Sequence, residues 1–292
     1  MSDKILRANS FDGSIRIFVA DTTDLVQKAH EIHDTYPVVT AALGRSLTAA
    51  AMMGCMQKGQ EDMISLQFKG DGPMGSLCAV SDSSSHVKGY ITNPHVNLAP
   101  NNKNKLDVKR AVGEGTFFVV RDLGLKEPYV GQVPIISGEI AEDLTYYYAT
   151  SEQTPTSVGL GVLVDTDGHV ICSGGFILQL MPEATEETGS LLEKNIAALP
   201  SITQMMSDGL STEDILLKIT DGFSMLIQNE PTIPLYACNC SRERVEAALI
   251  SIGKKELKSL LDEDGRAELT CPYCDQKYMF EKEDLEALIA SL

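Results

Sequence analysis

Apolar residues near the start of the chain recur with a helical period. Leu25, Ala29 and Ile32 follow Asp21-Thr-Thr-Asp24, and Ala41, Leu43, Leu47, Ala50 and Met53 follow Pro37, a residue suited to a helix's first turn. Short β-prone runs come next, at 64–68, 77–80, 87–92, 116–121 and 132–136. A hairpin is predicted from 157–164 and 169–180 around a turn at Asp165-Thr-Asp-Gly168. Strands joined by short Gly, Asp and Ser turns predict a mainly antiparallel sheet packed with helices, an α+β fold.

The pattern changes at Pro182. Residues 183–230 read as helices, with one apolar stripe at Leu191, Leu192, Ile196 and Leu199 and a second at Ile202, Met205 and Met206. Ser211-Thr-Glu-Asp214 is a capping-box-like start for a third helix carrying Ile215, Leu216 and Ile219. Such short helices cannot form a core of their own and read as a linker draped over an apolar surface. From about Thr232 a small module follows. Helices are expected at 242–252 and 255–261 with a break at Gly253, then strands at 267–270 and 276–280. A last helix over 283–292 would turn Leu285, Leu288, Ile289 and Leu292 inward. The expected organisation is a core domain over 1–181, a helical linker over 182–231 and a C-terminal module over 232–292.

Composition narrows the functional classes. A chain of 292 residues has room for about two domains. Neither an apolar leader near the N-terminus nor a run long enough to span a bilayer is visible, which predicts a cytoplasmic protein. The formal charge of −17 repels phosphates and anionic headgroups, so neither nucleic acid nor a membrane is expected as a partner. In a reducing compartment, paired cysteines point to metal or redox chemistry rather than to structural disulfides.

Most motifs have plain readings. Gly70-Asp-Gly72-Pro-Met-Gly75 matches a dinucleotide fingerprint, but Pro73 and the strand-like residues that follow predict a tight turn. His30 and His33 share a helix face without a third ligand nearby, and Cys55, Cys78 and Cys172 sit among apolar neighbours as small hydrophobes. No P-loop, nucleophile elbow or H-E-x-x-H is present, so no enzyme is expected and no catalytic residue is assigned.

The remaining four of the seven cysteines form Cys238-Asn-Cys240 and Cys271-Pro-Tyr-Cys274. Two close pairs that converge would close one tetrahedral Zn²⁺ site with four thiolates and no open position. Thiolates are also the form that peroxides attack, and a disulfide cannot supply two thiolate ligands. Cys271–Cys274 has ordinary spacing and should close easily. Cys238–Cys240 closes only a strained ring, since Cα atoms two residues apart lie near the upper end of the ~4.4–6.8 Å that disulfides span. The expectation is a two-step switch: Cys271–Cys274 oxidises first and the ion leaves, then Cys238–Cys240 locks the unfolded form.

The chain as a whole resembles the bacterial redox-regulated heat-shock chaperones of thirty-three kilodaltons (the 33 kDa chaperonins). The resemblance rests on the cysteine pattern and on motifs in order: Leu43-Gly-Arg45, Gly70-Asp-Gly-Pro73, Gly89-Tyr90, Asn93-Pro94, Pro128-Tyr-Val-Gly131, Gly138-Glu-Ile-Ala-Glu-Asp-Leu144 and Ser151-Glu-Gln153. It implies an ATP-independent holdase, inactive when reduced and zinc-bound and activated by oxidation together with unfolding stress. It further implies a monomer that dimerises when active, and unfolding client proteins as partners, bound by the linker and the surface under it. Met181, Met205, Met206 and Met225 would offer adaptable contacts. Two rivals stand beside this reading. A thiol-disulfide oxidoreductase needs an exposed C-x-x-C at a helix N-terminus; a static zinc-ribbon interaction module would keep its metal under mild peroxide.

Overall fold

The computed structural model describes residues 3–166 and 168–292, so the turn expected at 165–168 includes one position, Asp167, outside the described residues. The chain divides into two compact units, one ending at Tyr236 and one from Ala237 to Leu292. The mixed α+β architecture with antiparallel sheets is as expected.

The first unit is built on two sheets. It begins with β1 (Lys4–Ser10), β2 (Ile15–Asp21), helix α1 (Thr23–His33) and helix α2 (Pro37–Gly54). There follow β3 (Met63–Gly70), β4 (Ser76–Asp82), β5 (His86–Ile91), the short α3 (Val108–Val112), β6 (Gly115–Asp122), β7 (Tyr129–Pro134) and α4 (Ala141–Thr150). The hairpin β8 (Thr156–Val164) and β9 (Val170–Leu180) leads into helices α5 (Glu186–Ala198), α6 (Ile202–Ser207) and α7 (Thr212–Ile219), then β10 (Met225–Ile227) and β11 (Leu235–Tyr236). One sheet has the order β10-β1-β2-β9-β8 and the other β11-β5-β4-β3-β6-β7; all pairings are antiparallel except β11 with β5.

Helix α2 touches strands of both sheets and is buried on nearly every side. Its small residues permit this: a Cβ on Gly44 would lie 2.6 Å from Val26 Cγ1 and 2.9 Å from Val162 Cγ2. Two of its buried hydroxyls are satisfied within the helix, Ser46 donating to the Ala42 carbonyl and Thr48 to that of Gly44. A helix apolar all round belongs in a core.

The five-stranded sheet is covered on both faces. Ile5, Phe18 and Ala20 face the α2 side. Leu6, Ala8, Ile15, Ile17 and Val19 face a second cluster with Leu192, Ile202, Met205, Ile215, Leu216 and Ile219 from α5, α6 and α7. The helices after Pro182 therefore pack on the outer face of this sheet, within the first unit. Two-sided burial also explains why β1 and β2 were missing from the predicted strands: Ile15–Asp21 is buried at five of seven positions and shows no clean alternation. The strand predicted at 132–136 lies earlier, at Tyr129–Pro134.

The glycine loop between β3 and β4 is a turn, with β4 following it as strand. A Cβ on Gly70 or Gly72 would strike the carbonyl oxygens of Val112 and Ala111, so these glycines serve close backbone packing.

The second unit holds α8 (Arg242–Ser251), α9 (Lys254–Glu263), the hairpin β12 (Ala267–Thr270) and β13 (Lys277–Phe280), and α10 (Lys282–Ala290). Its core is small: Leu249, Leu257, Ala267, Phe280 and Leu285, flanked by partly buried Val245, Leu261, Leu269, Tyr278, Leu288 and Ile289. Leu292, expected to face inward, lies beyond the end of α10 and is half exposed. The compact unit starts at Ala237 rather than near Thr232 because Leu235 and Tyr236 form β11. Leu235 N–H donates to the Ser85 carbonyl at 3.0 Å and the Tyr236 hydroxyl to that of Gly89 at 3.0 Å.

Candidate metal centre

Two segments of the second unit bring the four cysteines together. Cys238 and Cys240 lie just before α8, whose first turn is capped by the Ser241 hydroxyl accepting from Arg244 N–H. Cys271 and Cys274 lie in the turn between β12 and β13. There Cys271 N–H donates to the Gln276 carbonyl and Asp275 N–H to the Cys271 carbonyl, both at 2.9 Å, and Asp275 takes a left-handed φ of 57°. The C-x-x-C thus sits on a hairpin and not at a helix N-terminus.

All four Sγ atoms lie within 4.8 Å of one another, with Cys238–Cys271 at 3.7 Å and Cys240–Cys274 at 3.4 Å. A tetrahedron with Zn–S bonds of about 2.3 Å has S–S edges of about 3.8 Å. The donor set and its spacing therefore fit a tetrahedral, thiophilic ion. Among the described residues, this is the cluster of His, Cys, Asp and Glu placed to hold a metal.

The thiols perturb one another. Burial pushes Cys238 and Cys274 up. Burial also acts to raise Cys240, but the Tyr278 hydroxyl and the three neighbouring thiols outweigh it and bring that group down to about 7. A bound dication is what lets four thiolates ionise side by side.

The other candidates are otherwise engaged. His30 Nδ1 lies 3.1 Å from the Thr35 carbonyl oxygen, and His33 Nε2 lies 2.9 Å from that of Gly89 and 3.0 Å from the Tyr236 hydroxyl, so the pair does not converge on a common point. Cys78 and Cys172 are buried. Cys55 Sγ lies 3.0 Å from Ser85 Oγ, and burial raises both the Cys55 and Cys172 thiols.

Two residues at the site went unnoticed in the sequence. Tyr278 donates its hydroxyl to Cys240 Sγ at 3.1 Å. Arg242 donates to the Met279 carbonyl and to Asp284, both at 2.8 Å, and stacks on Phe280 at 4.4 Å. The period of two along β13, which places Tyr278 on the face of buried Phe280, was the available signal.

Comparison with known proteins agrees along the whole chain. The family model described as "Hsp33 protein" matches residues 3–281. The 33 kDa chaperonin of Ruminiclostridium cellulolyticum is 49% identical over 290 residues, covering 99% of this chain and 98% of that protein. That of Clostridioides difficile is 49% identical over 293 residues, covering all of both. The crystal structure of the 33 kDa chaperonin from Thermotoga maritima superposes with a TM-score of 0.92 at 38% identity, over 100% of this chain and 99% of that one. With the cysteine cluster in the second unit and likeness from end to end, the chain belongs to the Hsp33 family.

Proposed function

We propose that this chain is an ATP-independent chaperone, a holdase, switched on by oxidation and inactive while reduced and zinc-bound. The observation that carries the reading is the convergence of four thiols in a module with only five core side chains. Zn²⁺, when bound, would supply no redox chemistry; it would offset half the charge of the four thiolates Cys238, Cys240, Cys271 and Cys274 and fix their positions.

Oxidation by a peroxide is balanced as two thiolates and one H₂O₂ giving one disulfide and two hydroxides. Closure of Cys271–Cys274 withdraws two ligands, and closure of Cys238–Cys240 withdraws the others. Structural zinc contributes on the order of 10–16 kcal/mol to small modules, against a net stability of about 5–15 kcal/mol for a whole domain. Loss of the ligands therefore melts a module of this size.

The first unit supplies the client surface. We assign residues 1–181 as core, 182–231 as a releasable linker and the module that follows it, compact from Ala237 to Leu292, as the switch. The chain runs from α7 through β10 and β11 into Cys238, so unfolding beyond Tyr236 frays the segment that ends the linker. Release of α5–α7 exposes Ile15, Ile17, Val19, Met205 and their neighbours, an apolar face suited to unfolding proteins. Two copies exposing such faces would pair, giving a homodimer in the oxidised state. The net charge of −17 keeps the exposed form dispersed and disfavours nucleic acid and anionic membranes. Among the described residues no helix is long and apolar enough to cross a membrane; a thiol switch of this kind belongs in the reducing cytoplasm.

The test follows zinc release, far-UV circular dichroism and suppression of client aggregation together during warm peroxide treatment. The three should change in concert. Equal suppression by the reduced, fully metallated protein would overturn the switch.

A further inference from the structure

Four thiolates around a dication leave two net negative charges, and hydrogen-bond donors to the sulfurs spread them. Backbone donors supply part of this: Cys240 N–H to the Cys238 sulfur and Gln276 N–H to that of Cys274. The Tyr278 hydroxyl, 3.1 Å from Cys240 Sγ, adds a side-chain donor.

Both ends of this bond are pinned. Tyr278 lies on β13 opposite Leu269, and Phe280, two residues on, is fully buried. Cys240 precedes by two residues Arg242, whose guanidinium grips Met279, Asp284 and the Phe280 ring. One arginine thus fastens the ligand loop to the strand that presents the tyrosine, and the hydroxyl stays aimed at the sulfur.

We propose that Tyr278 is a positioning residue of the metal centre, whose hydroxyl holds Cys240 as a ligand and delays its oxidation. This rests on the metal-binding reading above. Peroxide oxidation begins when a thiolate lone pair attacks a peroxide oxygen; the O–O bond breaks, hydroxide leaves and a sulfenic acid remains. A second thiolate then displaces hydroxide from that sulfur to form the disulfide. A lone pair engaged by an O–H is a poorer nucleophile, so the Tyr278 hydroxyl slows attack at Cys240, and the Cys238–Cys240 pair closes after Cys271–Cys274. The hydroxyl thereby gives the switch its order.

The experiment uses the full-length reduced protein loaded with zinc or, as an optical probe, cobalt(II). Tyr278→Phe removes the donor; a fluorinated tyrosine at 278 keeps the ring's shape with a stronger one. The sulfur-to-cobalt charge-transfer band should move to lower energy in the Phe variant and to higher energy in the fluorinated one. Zinc retention against a chromogenic chelator should fall on the order of 10–100-fold in Tyr278→Phe. Disulfide mapping at half-release should then find Cys238–Cys240 as early as Cys271–Cys274. Unchanged bands and retention in both variants overturn the proposal. So does weakened retention in Phe without a shift in the fluorinated form, which marks a packing role. The fluorinated arm stands even where the Phe variant fails to fold. A wild-type chain that takes up neither metal overturns the metal reading itself, a separate result.

Discussion

Asp3 is 4% exposed, yet both its carboxylate oxygens accept backbone N–H groups from the start of α1, Asp24 at 2.9 Å and Leu25 at 2.7 Å. Burial pushes this carboxyl up to about 6; the two N–H donations pull against it, and Asp21 and Asp24 add repulsion. An acid whose folded pKa exceeds its unfolded value binds its proton more tightly when native. Its contribution is thus most favourable below the unfolded value near 4 and is lost as pH rises through about 6. The shift corresponds to about 3 kcal/mol at most. Urea unfolding of wild type and Asp3→Asn should show wild type losing about 2–3 kcal/mol relative to the variant between pH 4 and pH 7. Comparing the two chains cancels Asp12, lowered to about 2 by Ser10 and Ser14 and acting in the opposite sense. A difference independent of pH would show that Asp3 is not the titrating group. Nothing in the sequence marks Asp3, because its partners are backbone groups some twenty positions away. The four cysteines were legible because ligand type and local pairing are both written in the chain. Tyr278 was not, because a hydroxyl's partner depends on how the hairpin meets the ligand loop.

Helix α7 is specified locally by its cap and held by its packing. Ser211 Oγ accepts Asp214 N–H at 3.1 Å and Asp214 accepts Ser211 N–H at 3.0 Å, the reciprocal cap expected from the sequence. Ser211→Ala should cost about 1 kcal/mol. The larger hold is packing, for Ile215, Leu216 and Ile219 are almost fully enclosed against the sheet. Leu216→Ala should cost about 2–5 kcal/mol and lower the temperature at which peroxide-treated protein begins to suppress aggregation. A stability loss with an unchanged activation temperature would mean that α7 is not part of what is released. These helices were readable because each has one apolar stripe against one surface. Strand β2, buried on two faces, has no such contrast. Helix α4 lacks a sequence start signal for a different reason: its N-cap is Ile140, held at φ 68° while Asp143 accepts the N–H groups of Ile136, Ser137 and Ile140. Strands β10 and β11 have three and two residues, and their partners lie far back in the chain at β1 and β5.

At the scale of the molecule, the two units differ in what holds them. The first encloses one large cluster around α2 and a second beneath α5–α7, enough apolar surface to fold without a metal. The second has five buried core residues, and a module of that size leans on a staple. A zinc chelator added to the reduced protein should therefore melt residues 237–292 and leave the first unit folded. Hydrogen exchange should show the amides of α8–α10 and of β12–β13 losing protection together, while those of α2, β2 and β9 keep theirs. Calorimetry should lose one transition and retain the other. Restoring zinc under reducing conditions should restore protection, since thiols that remain reduced can ligate again. If chelation left α8–α10 protected, the small core alone would be sufficient, and closing the disulfides could not act by withdrawing ligands. If chelation melted both units at once, the first would depend on the second, and a released yet structured client surface could not exist. Only selective melting leaves a folded sheet whose outer face is free to be uncovered.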